Sequence, residues 1–169
     1  PNYRDYLTPE RVELLASLAP LHDIGKVGVP DRVLNKPGHL TPEELAEMRR
    51  HPRYGRDVIE NAERAAGVRD DVALAIAKDI VYTHHEWWDG SGYPEGLRGN
   101  AIPIPGRVMA VVDVYDAIIT RKLYQTPMSN EEAVAHIVKS QGSHFDPVVV
   151  DAFVKVAPTL HLLSQEPEG

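Results

Sequence analysis

The chain contains no cysteine, so disulfide bonds and thiolate metal sites are both excluded. It also lacks an apolar stretch long enough to cross a membrane and a basic-then-apolar secretion signal. These absences fit a reducing cytoplasm. Basic residues are few, 18 against 25 acidic ones, and the net charge of -7 argues against nucleic acid or anionic membrane as a partner. An anionic substrate would need local positive charge, which metal ions supply.

The 169 residues have the composition of one globular domain, with 43% hydrophobic and 25% charged residues. The sequence begins at Pro1 rather than at a methionine, which predicts a piece of a longer protein. We expect residues 1–13 to be the remnant of an upstream helix or linker. Residues 14–157 are predicted to form the functional domain, and residues 158–169 a C-terminal tail.

Signals for helix starts recur along the chain, whereas no segment alternates like a strand. Thr8-Pro9-Glu10 combines a capping residue, a proline at the first helical position and an acid in the first turn. Segments 41–44 and 129–132 are capping boxes, and Asp146-Pro147 marks the start of a last helix. The sequence therefore predicts an all-α helical bundle, a single domain of about six or seven helices.

Apolar residues repeat with helical spacing between these starts. Val72, Ile76 and Ile80 lie four apart on one face, and the almost wholly apolar run 107–119 predicts a central helix. Two stretches rich in glycine and proline, 25–40 and 89–105, are long enough to be functional loops.

Candidate metal ligands appear first at His22-Asp23, where an imidazole adjoins a carboxylate. This pair ends an apolar helix and precedes Gly25, so a helix C-terminus with a glycine stop is an equally good interpretation. His84 and His85 follow the helix that contains Ile80, at core-facing positions. Burying two imidazoles is costly unless something takes up their lone pairs, which favours a metal over two hydrogen-bonded core histidines.

Asp113 interrupts the apolar run 108–115, and a buried carboxylate must be paired, hydrogen-bonded or bound to metal. A salt bridge to an arginine such as Arg107 is the alternative to a metal. Asp116 lies near the same face and is a candidate for orienting a ligand imidazole. His51 stands at a break between two helices and, by itself, has the position of a helix-boundary histidine. Three other histidines are predicted to be surface or structural residues: His39, His136 and His161. For His144 the sequence favours neither a structural nor a functional role.

Four motifs occur in order along the chain: His22-Asp23-Ile24-Gly25-Lys26, Arg50-His51-Pro52, the run HHEWWDGSGYP from His84 to Pro94, and Asp113-Val114-Tyr115-Asp116-Ala117. Together they closely resemble the HD-GYP domain, a branch of the HD superfamily of metal-dependent phosphohydrolases. The resemblance extends from about residue 14 to about residue 153, and the third motif is long enough to be highly specific.

The resemblance implies an all-helical bundle that hydrolyses the bacterial second messenger cyclic di-GMP to pGpG or GMP. It implies two or three divalent metals, iron or manganese above zinc or nickel. The implied metal ligands are His22, Asp23, His51, His84, His85 and Asp113, with Asp23 bridging two metals. The implied substrate contacts are Lys26, Gly92, Tyr93, Pro94 and Lys122. Because glycine permits close backbone approach, we also expect N–H groups around Gly90 and Gly92 to approach a phosphate. Implied partners are a fused sensory or receiver domain, a GGDEF-type domain and a second copy of the chain.

The chemistry of these residues agrees with the resemblance. Neutral imidazoles and a carboxylate suit iron, manganese or zinc better than magnesium or calcium. Two neighbouring metals would share a hydroxide, lower its pKa and neutralise the phosphate during in-line attack. Asp23 and Lys26 are the catalytic candidates, because Lys26 would stabilise developing charge or protonate the leaving oxygen. A solvated loop lysine is the alternative for Lys26.

Three features depart from the family's pattern. The family carries a further histidine upstream of the His-Asp pair, but residues 1–21 contain none. Either one metal is left with three protein ligands, or the missing helix lies before Pro1. Lys122 and Gln125 stand where the family has an arginine and a basic residue, and lysine cannot form a bidentate fork. Ile119 replaces a usual threonine. We therefore expect this chain to bind metal incompletely and to hydrolyse cyclic di-GMP weakly.

Two other functions stay open. A degenerate domain would bind a dinucleotide or a protein partner and hydrolyse little. A phosphohydrolase for another cyclic dinucleotide or a nucleotide would keep the chemistry and change the substrate. A purely structural helical module is disfavoured, because it has no use for a buried histidine pair and Asp113.

Overall fold

A computed structural model describes residues 3–120 and 128–164, the last four without their side chains. These residues form nine α-helices and no β-strand. The helices are α1 Tyr3–Tyr6, α2 Pro9–Leu18, α3 Asp31–Leu34, α4 Pro42–Met48, α5 His51–Ala66, α6 Val72–Thr83, α7 Ile104–Ile119, α8 Asn130–Lys139 and α9 Pro147–Ser164. The predicted all-α fold is confirmed, and the two helices beyond the expected number, α1 and α3, are four-residue turns.

The predicted helix starts are confirmed by their capping contacts. The side chain of Thr8 accepts from the Arg11 backbone N–H, and α2 begins with proline. Capping boxes are present at segments 41–44 and 129–132, and the last helix begins at Pro147. In a capping box, two unpaired backbone donors are satisfied reciprocally, so the helix start is defined locally by sequence.

Helix α7 lies at the centre of the bundle, as its apolar composition predicts. Its residues Ala110, Val111 and Tyr115 pack with buried residues of α8, α9 and the segment before α9. On another side, Met109 packs with Ile76 and Ile80 of α6, against which the leucines of α2 rest. Thr83, the last residue of α6, lies against Gly106 near the start of α7, and His84 follows directly after it.

The helical backbone does not end at Gly25, contrary to one interpretation of the sequence. A 3₁₀ segment, Ala19–Gly28, continues from α2 through the glycine and packs closely on α5. A Cβ atom at Gly25 would lie 1.9 Å from the His51 carbonyl oxygen and 2.4 Å from the Gly55 backbone nitrogen. Glycine is therefore required here by the close approach of two backbones and not by a helix stop.

Arg107 is buried, and its guanidinium connects distant parts of the chain. It lies 3.2 Å from the Asp146 carboxylate, donates 2.6 Å to the Ile102 carbonyl and 3.2 Å to the Asn100 side chain. Tyr3 also donates to Asp146. The alternative in which Asp113 pairs with Arg107 is therefore wrong, because the arginine's partner is Asp146. This network holds the loop before α7 against α1 and α9.

No helix among the described residues combines the length and apolarity needed to cross a bilayer. Helix α2 begins at Pro9, and α9 continues through Pro158 to Ser164. The division of the chain at residues 13 and 157 stays a prediction.

Candidate metal centre

Four separate segments bring the predicted metal ligands together. His22 and Asp23 belong to the 3₁₀ segment, His51 begins α5, His84 caps α6 with His85 after it, and Asp113 comes from α7. Asp23, His51, His84 and His85 each offer one ligand atom, and these four atoms all lie within 4.8 Å of one another. This is the spacing that side chains around a single metal ion require.

Backbone carbonyl groups hold three of the imidazoles in one tautomer. His22, His51 and His84 each place Nδ1 within hydrogen-bond distance of a carbonyl of the preceding turn. The acceptors are Ala19 at 2.9 Å, Met48 at 2.9 Å and Ile80 at 3.0 Å. A carbonyl only accepts, so each Nδ1 carries a proton and each neutral ring has its lone pair at Nε2.

These lone pairs converge without a proton between them. The Nε2 atoms of His51 and His84 are 3.4 Å apart, and both side chains are almost fully buried. With Nδ1 protonated on each neutral ring, two acceptor atoms face each other in a site from which water is largely excluded. Such an arrangement is unfavourable by itself and favourable around a cation, so the residues fit a bound divalent metal.

Asp23 faces both sides of the cluster. Its Oδ1 lies 3.4 Å from His51 Nε2, whereas its Oδ2 lies 3.3 Å from His22 Nε2 and 2.5 Å from Lys26 Nζ. His22 Nε2 lies in turn 3.6 Å from Asp113 Oδ1. Thus one carboxylate has an oxygen toward the buried histidines and another toward His22 and its neighbours.

The protonation states suit metal binding. Burial, aided by neighbouring imidazoles, lowers the pKa of His84 to about 3 and that of His85 to about 2. Burial opposes ionisation of Asp23, but the neighbouring His22 and Lys26 outweigh it and hold the carboxyl pKa well below its usual range. The pKa of His22 is raised instead, chiefly by its contact with Asp23. At neutral pH His84 and His85 are therefore neutral imidazoles beside an ionised carboxylate, the ligand types that first-row transition metals accept.

The loop after His85 folds back over the cluster. The Tyr93 ring stacks on the His85 ring, with centroids 4.7 Å apart and planes 26° apart. A Cβ atom at Gly92 would lie 2.3 Å from the Trp87 backbone nitrogen, so only glycine allows this fold. The Gly90 N–H donates to the Trp87 carbonyl at 2.8 Å. Because this turn already uses the Gly90 N–H, the structure does not support the expectation that this group contacts a phosphate.

Glu86 holds this loop, although the sequence interpretation assigned it no role. Its side chain is buried and accepts backbone N–H bonds from Glu95 at 2.7 Å and Leu97 at 2.9 Å. The sequence signal for this role was the position of Glu86 directly after His84 and His85, because a carboxylate in a buried segment requires hydrogen-bond partners.

Replacing Glu86 by alanine should release the loop. Two backbone N–H groups in partly buried hydrogen bonds would lose their charged acceptor, so we expect a loss of about 2–4 kcal/mol in unfolding free energy. Hydrogen exchange of the Glu95 and Leu97 amides should accelerate more than that of α8. Glu86→Gln keeps an acceptor oxygen and should lose less, and Glu13→Ala, at an exposed position on α2, is the control. Unchanged protection of both amides in Glu86→Ala would contradict this role.

His144 proves to be a packing residue. Its ring stacks on Trp87 at 4.2 Å between centroids and on Phe145 at 4.0 Å. Its carbonyl accepts from the Trp88 N–H at 2.9 Å, which joins the loop after His85 to the segment before α9. Burial, reinforced by the charge of His136, lowers the pKa of His144 to about 4.

His144 should make the fold sensitive to acid. Its folded pKa of about 4 lies below the usual 6.5, so the unfolded chain binds this proton first as the pH falls. Stability should therefore be lost between pH 6.5 and 4, by about 3 kcal/mol for this residue. In His144→Phe, which keeps the stacking, the difference in unfolding free energy between pH 7 and pH 4 should shrink by that amount. Denaturant titrations at both pH values measure it, and an unchanged difference would contradict it.

Other predicted residues are either exposed or outside the described part of the chain. Asp116 is exposed, and its Oδ1 accepts from the Thr120 hydroxyl at 3.3 Å. The His22, His51 and His84 rings are oriented instead by backbone carbonyls one helical turn before them. Lys122 and Gln125 fall outside the described residues, as does the His161 side chain, while His39 and His136 are exposed.

Fold and site together define an all-helical domain with a buried histidine–aspartate centre of metal-binding type. The family model described as "HD domain" matches residues 7–149. The chain therefore belongs to the HD domain family, and its motifs are consistent with the HD-GYP branch that the sequence resembles.

Proteins of Vibrio cholerae serotype O1 are among its relatives. The chain is 54% identical over 156 residues to one named "Cyclic di-GMP phosphodiesterase", covering 92% of this chain and 31% of that protein. It is 38% identical over 149 residues to "3'3'-cGAMP-specific phosphodiesterase 2", covering 88% and 27%. The crystal structure of a cyclic GMP-AMP specific phosphodiesterase from V. cholerae has a TM-score of 0.57 and 23% identity, covering 94% of this chain and 41% of that one. The chain thus spans about a third of the curated relatives it matches, and the structural likeness concerns the fold alone.

Proposed function

We propose that this domain is a metal-dependent phosphodiesterase that hydrolyses cyclic di-GMP to pGpG, to GMP, or to both. The observation that carries the proposal is the convergence of unprotonated Nε2 atoms and the Asp23 carboxylate in a largely buried site. The printed name of a relative at 54% identity supports the choice of substrate. An acidic chain with net charge -7 also needs a metal centre to attract a phosphodiester.

The geometry suggests two metal positions that share Asp23. One would be held by Asp23, His51, His84 and His85, whose ligand atoms already cluster. The other would be held by His22, Asp23 and Asp113, with His22 Nε2 within 3.6 Å of each carboxylate. Divalent ions there, iron or manganese, would supply an activated water and neutralise the phosphate.

Lys26 is placed to act on the same phosphate. Its ammonium lies 2.5 Å from Asp23, and the side chain is 41% exposed, so it can reach a ligand in the cleft. A protonated lysine there would stabilise negative charge on the phosphoryl oxygens and could give its proton to the leaving oxygen. The Asp23 carboxylate keeps it oriented. Hydrolysis then depends on Asp23 in two ways, through the metals and through Lys26.

Another cyclic dinucleotide is the second candidate substrate. The 38% identity to a 3'3'-cGAMP-specific phosphodiesterase favours it, because the same metal centre would act on either phosphodiester. The difference between the two substrates is one nucleobase, so specificity would depend on side chains around the cleft.

The test is turnover with a substrate panel. The chain, loaded with Mn²⁺ or Fe²⁺, is incubated with cyclic di-GMP, 3'3'-cGAMP and pGpG, and products are separated by chromatography. We expect cyclic di-GMP to be consumed, slowly because one metal has few ligands. Faster consumption of 3'3'-cGAMP would favour the second candidate. Tight binding without turnover at any metal load would favour a degenerate binding domain.

The partners implied by the resemblance stay proposals. A fused sensory or receiver domain, a GGDEF-type partner and a homodimer would each regulate the site from outside the residues described above. Mass photometry of this chain tests the homodimer directly.

A further inference from the structure

Arg49 lies over the Tyr93 ring, which stacks on the candidate metal ligand His85. It is exposed on the segment between α4 and α5, and its guanidinium carbon lies 5.2 Å from the centre of the Tyr93 ring. Among the described residues, no hydrogen bond or ion pair joins this guanidinium to another side chain. Its neighbours are paired: Arg50 with Glu47 at 3.4 Å, and Arg53 with Glu95 at 2.9 Å.

Tyr93 links Arg49 to the metal centre. The ring stacks on His85, which covers one of its faces, and the guanidinium packs on it as a cation–π contact. The Tyr93 ring therefore contacts both the candidate ligand His85 and the Arg49 guanidinium.

A cyclic dinucleotide carries two phosphodiesters, and only one can be attacked at a time. The attacked group would contact the metals and Lys26. The other keeps its negative charge next to a protein of net charge -7, so it needs a cation at a second position. A guanidinium suits it, since its planar fork donates two parallel hydrogen bonds to phosphate oxygens.

We propose that Arg49, supported by the Tyr93 ring, binds the phosphodiester that is not being hydrolysed. This proposal rests on the proposed function and names a specificity-determining contact for it. Arg49 would select substrates with two phosphates over simple diesters. Because it contacts the remote phosphate in both the ground state and the transition state, it would act mainly on KM.

Two substrates and three variants test the proposal. Cyclic di-GMP has two phosphodiesters and bis(p-nitrophenyl) phosphate has one. For Arg49→Ala we expect KM for cyclic di-GMP to rise about tenfold to a hundredfold, with kcat changed less than about threefold. Arg49→Lys should fall between Arg49→Ala and the parent, because it keeps the charge without the fork. Arg50→Ala is the matched control, since that adjacent arginine pairs with Glu47 and lies over Tyr54, and it should keep the parent KM.

The comparison between substrates decides the outcome. A loss in kcat/KM at least about tenfold larger for cyclic di-GMP than for the simple diester supports the proposal. Equal losses, or an unchanged KM, overturn it. If the parent hydrolyses neither substrate, the proposed function fails separately, and calorimetric binding of cyclic di-GMP to the Mn²⁺-loaded chain decides about Arg49. There, weaker binding by about tenfold in Arg49→Ala supports the contact, whereas equal or undetectable binding in parent and variant overturns it.

Discussion

Replacing Asp23 by alanine should remove both metals and abolish hydrolysis. One oxygen of this carboxylate faces His51 and the other faces His22 and Lys26, so its loss takes a ligand from each proposed metal position. It also leaves Lys26 without its ion-pair partner. We expect the metal-to-protein ratio, measured by elemental analysis after loading and desalting, to fall close to zero. Turnover should fall at least about a thousandfold, because metal activation accounts for several kcal/mol of the barrier.

Two further variants sharpen this test. Asp23→Asn keeps the shape and one oxygen ligand but not the charge, so we expect it to keep at most part of one metal. Asp57→Ala removes an exposed acid from α5 and should retain the metal content and turnover of the parent. If Asp23→Ala kept two metals per chain, the carboxylate would not bridge them. If it lost one metal only, Asp23 would belong to a single position.

Replacing Gly25 by alanine should damage both stability and metal binding. The added methyl group would lie 1.9 Å from the His51 carbonyl oxygen, and the backbone has no rotamer by which to escape. The 3₁₀ segment and α5 would have to separate, at a cost of about 3 kcal/mol or more in unfolding free energy. That separation would move His22 and Asp23 away from His51. We therefore expect reduced metal affinity in the fraction that folds, measured by calorimetric titration with Mn²⁺.

Gly28→Ala is the matched control within the same segment. There the three atoms nearest to the added methyl group all belong to the half-buried Tyr54 side chain, at 2.8–3.2 Å, rather than to backbone, and a side chain can adjust. We expect a loss of about 1 kcal/mol or less and the metal affinity of the parent. Equal effects of the two substitutions would show that the close approach at Gly25 is not what holds the two ligand segments together.

Much of the site follows from local rules. A buried polar side chain must have a partner, and this requirement alone separates His84, His85 and Asp113 from ordinary core residues. It also applies to Glu86, whose partners are backbone N–H groups of the following loop rather than a metal. The same chemical rule therefore predicts that a partner exists without identifying it.

The residues on which the sequence interpretation and the structure differ depend on distant segments. Gly25 has the sequence context of a helix stop, but the backbone of α5 passes too close for any side chain. Arg107 is a plausible partner for Asp113 by sequence distance, yet the packing of α9 against α7 gives it Asp146. Asp116 has suitable helical spacing, but backbone carbonyls orient the imidazoles.

By itself the sequence determined the helix starts, the all-α class and the ligand types. Capping, helical periodicity and the cost of burying polar groups act within a few residues, so they can be recognised along the chain. Tertiary structure alone decided which atoms meet: the Nε2 atoms of His51 and His84, the two oxygens of Asp23 on opposite sides, and Arg49 against Tyr93. These contacts join segments separated by tens of residues. Their distances depend on how closely the helices pack, which no local pattern specifies.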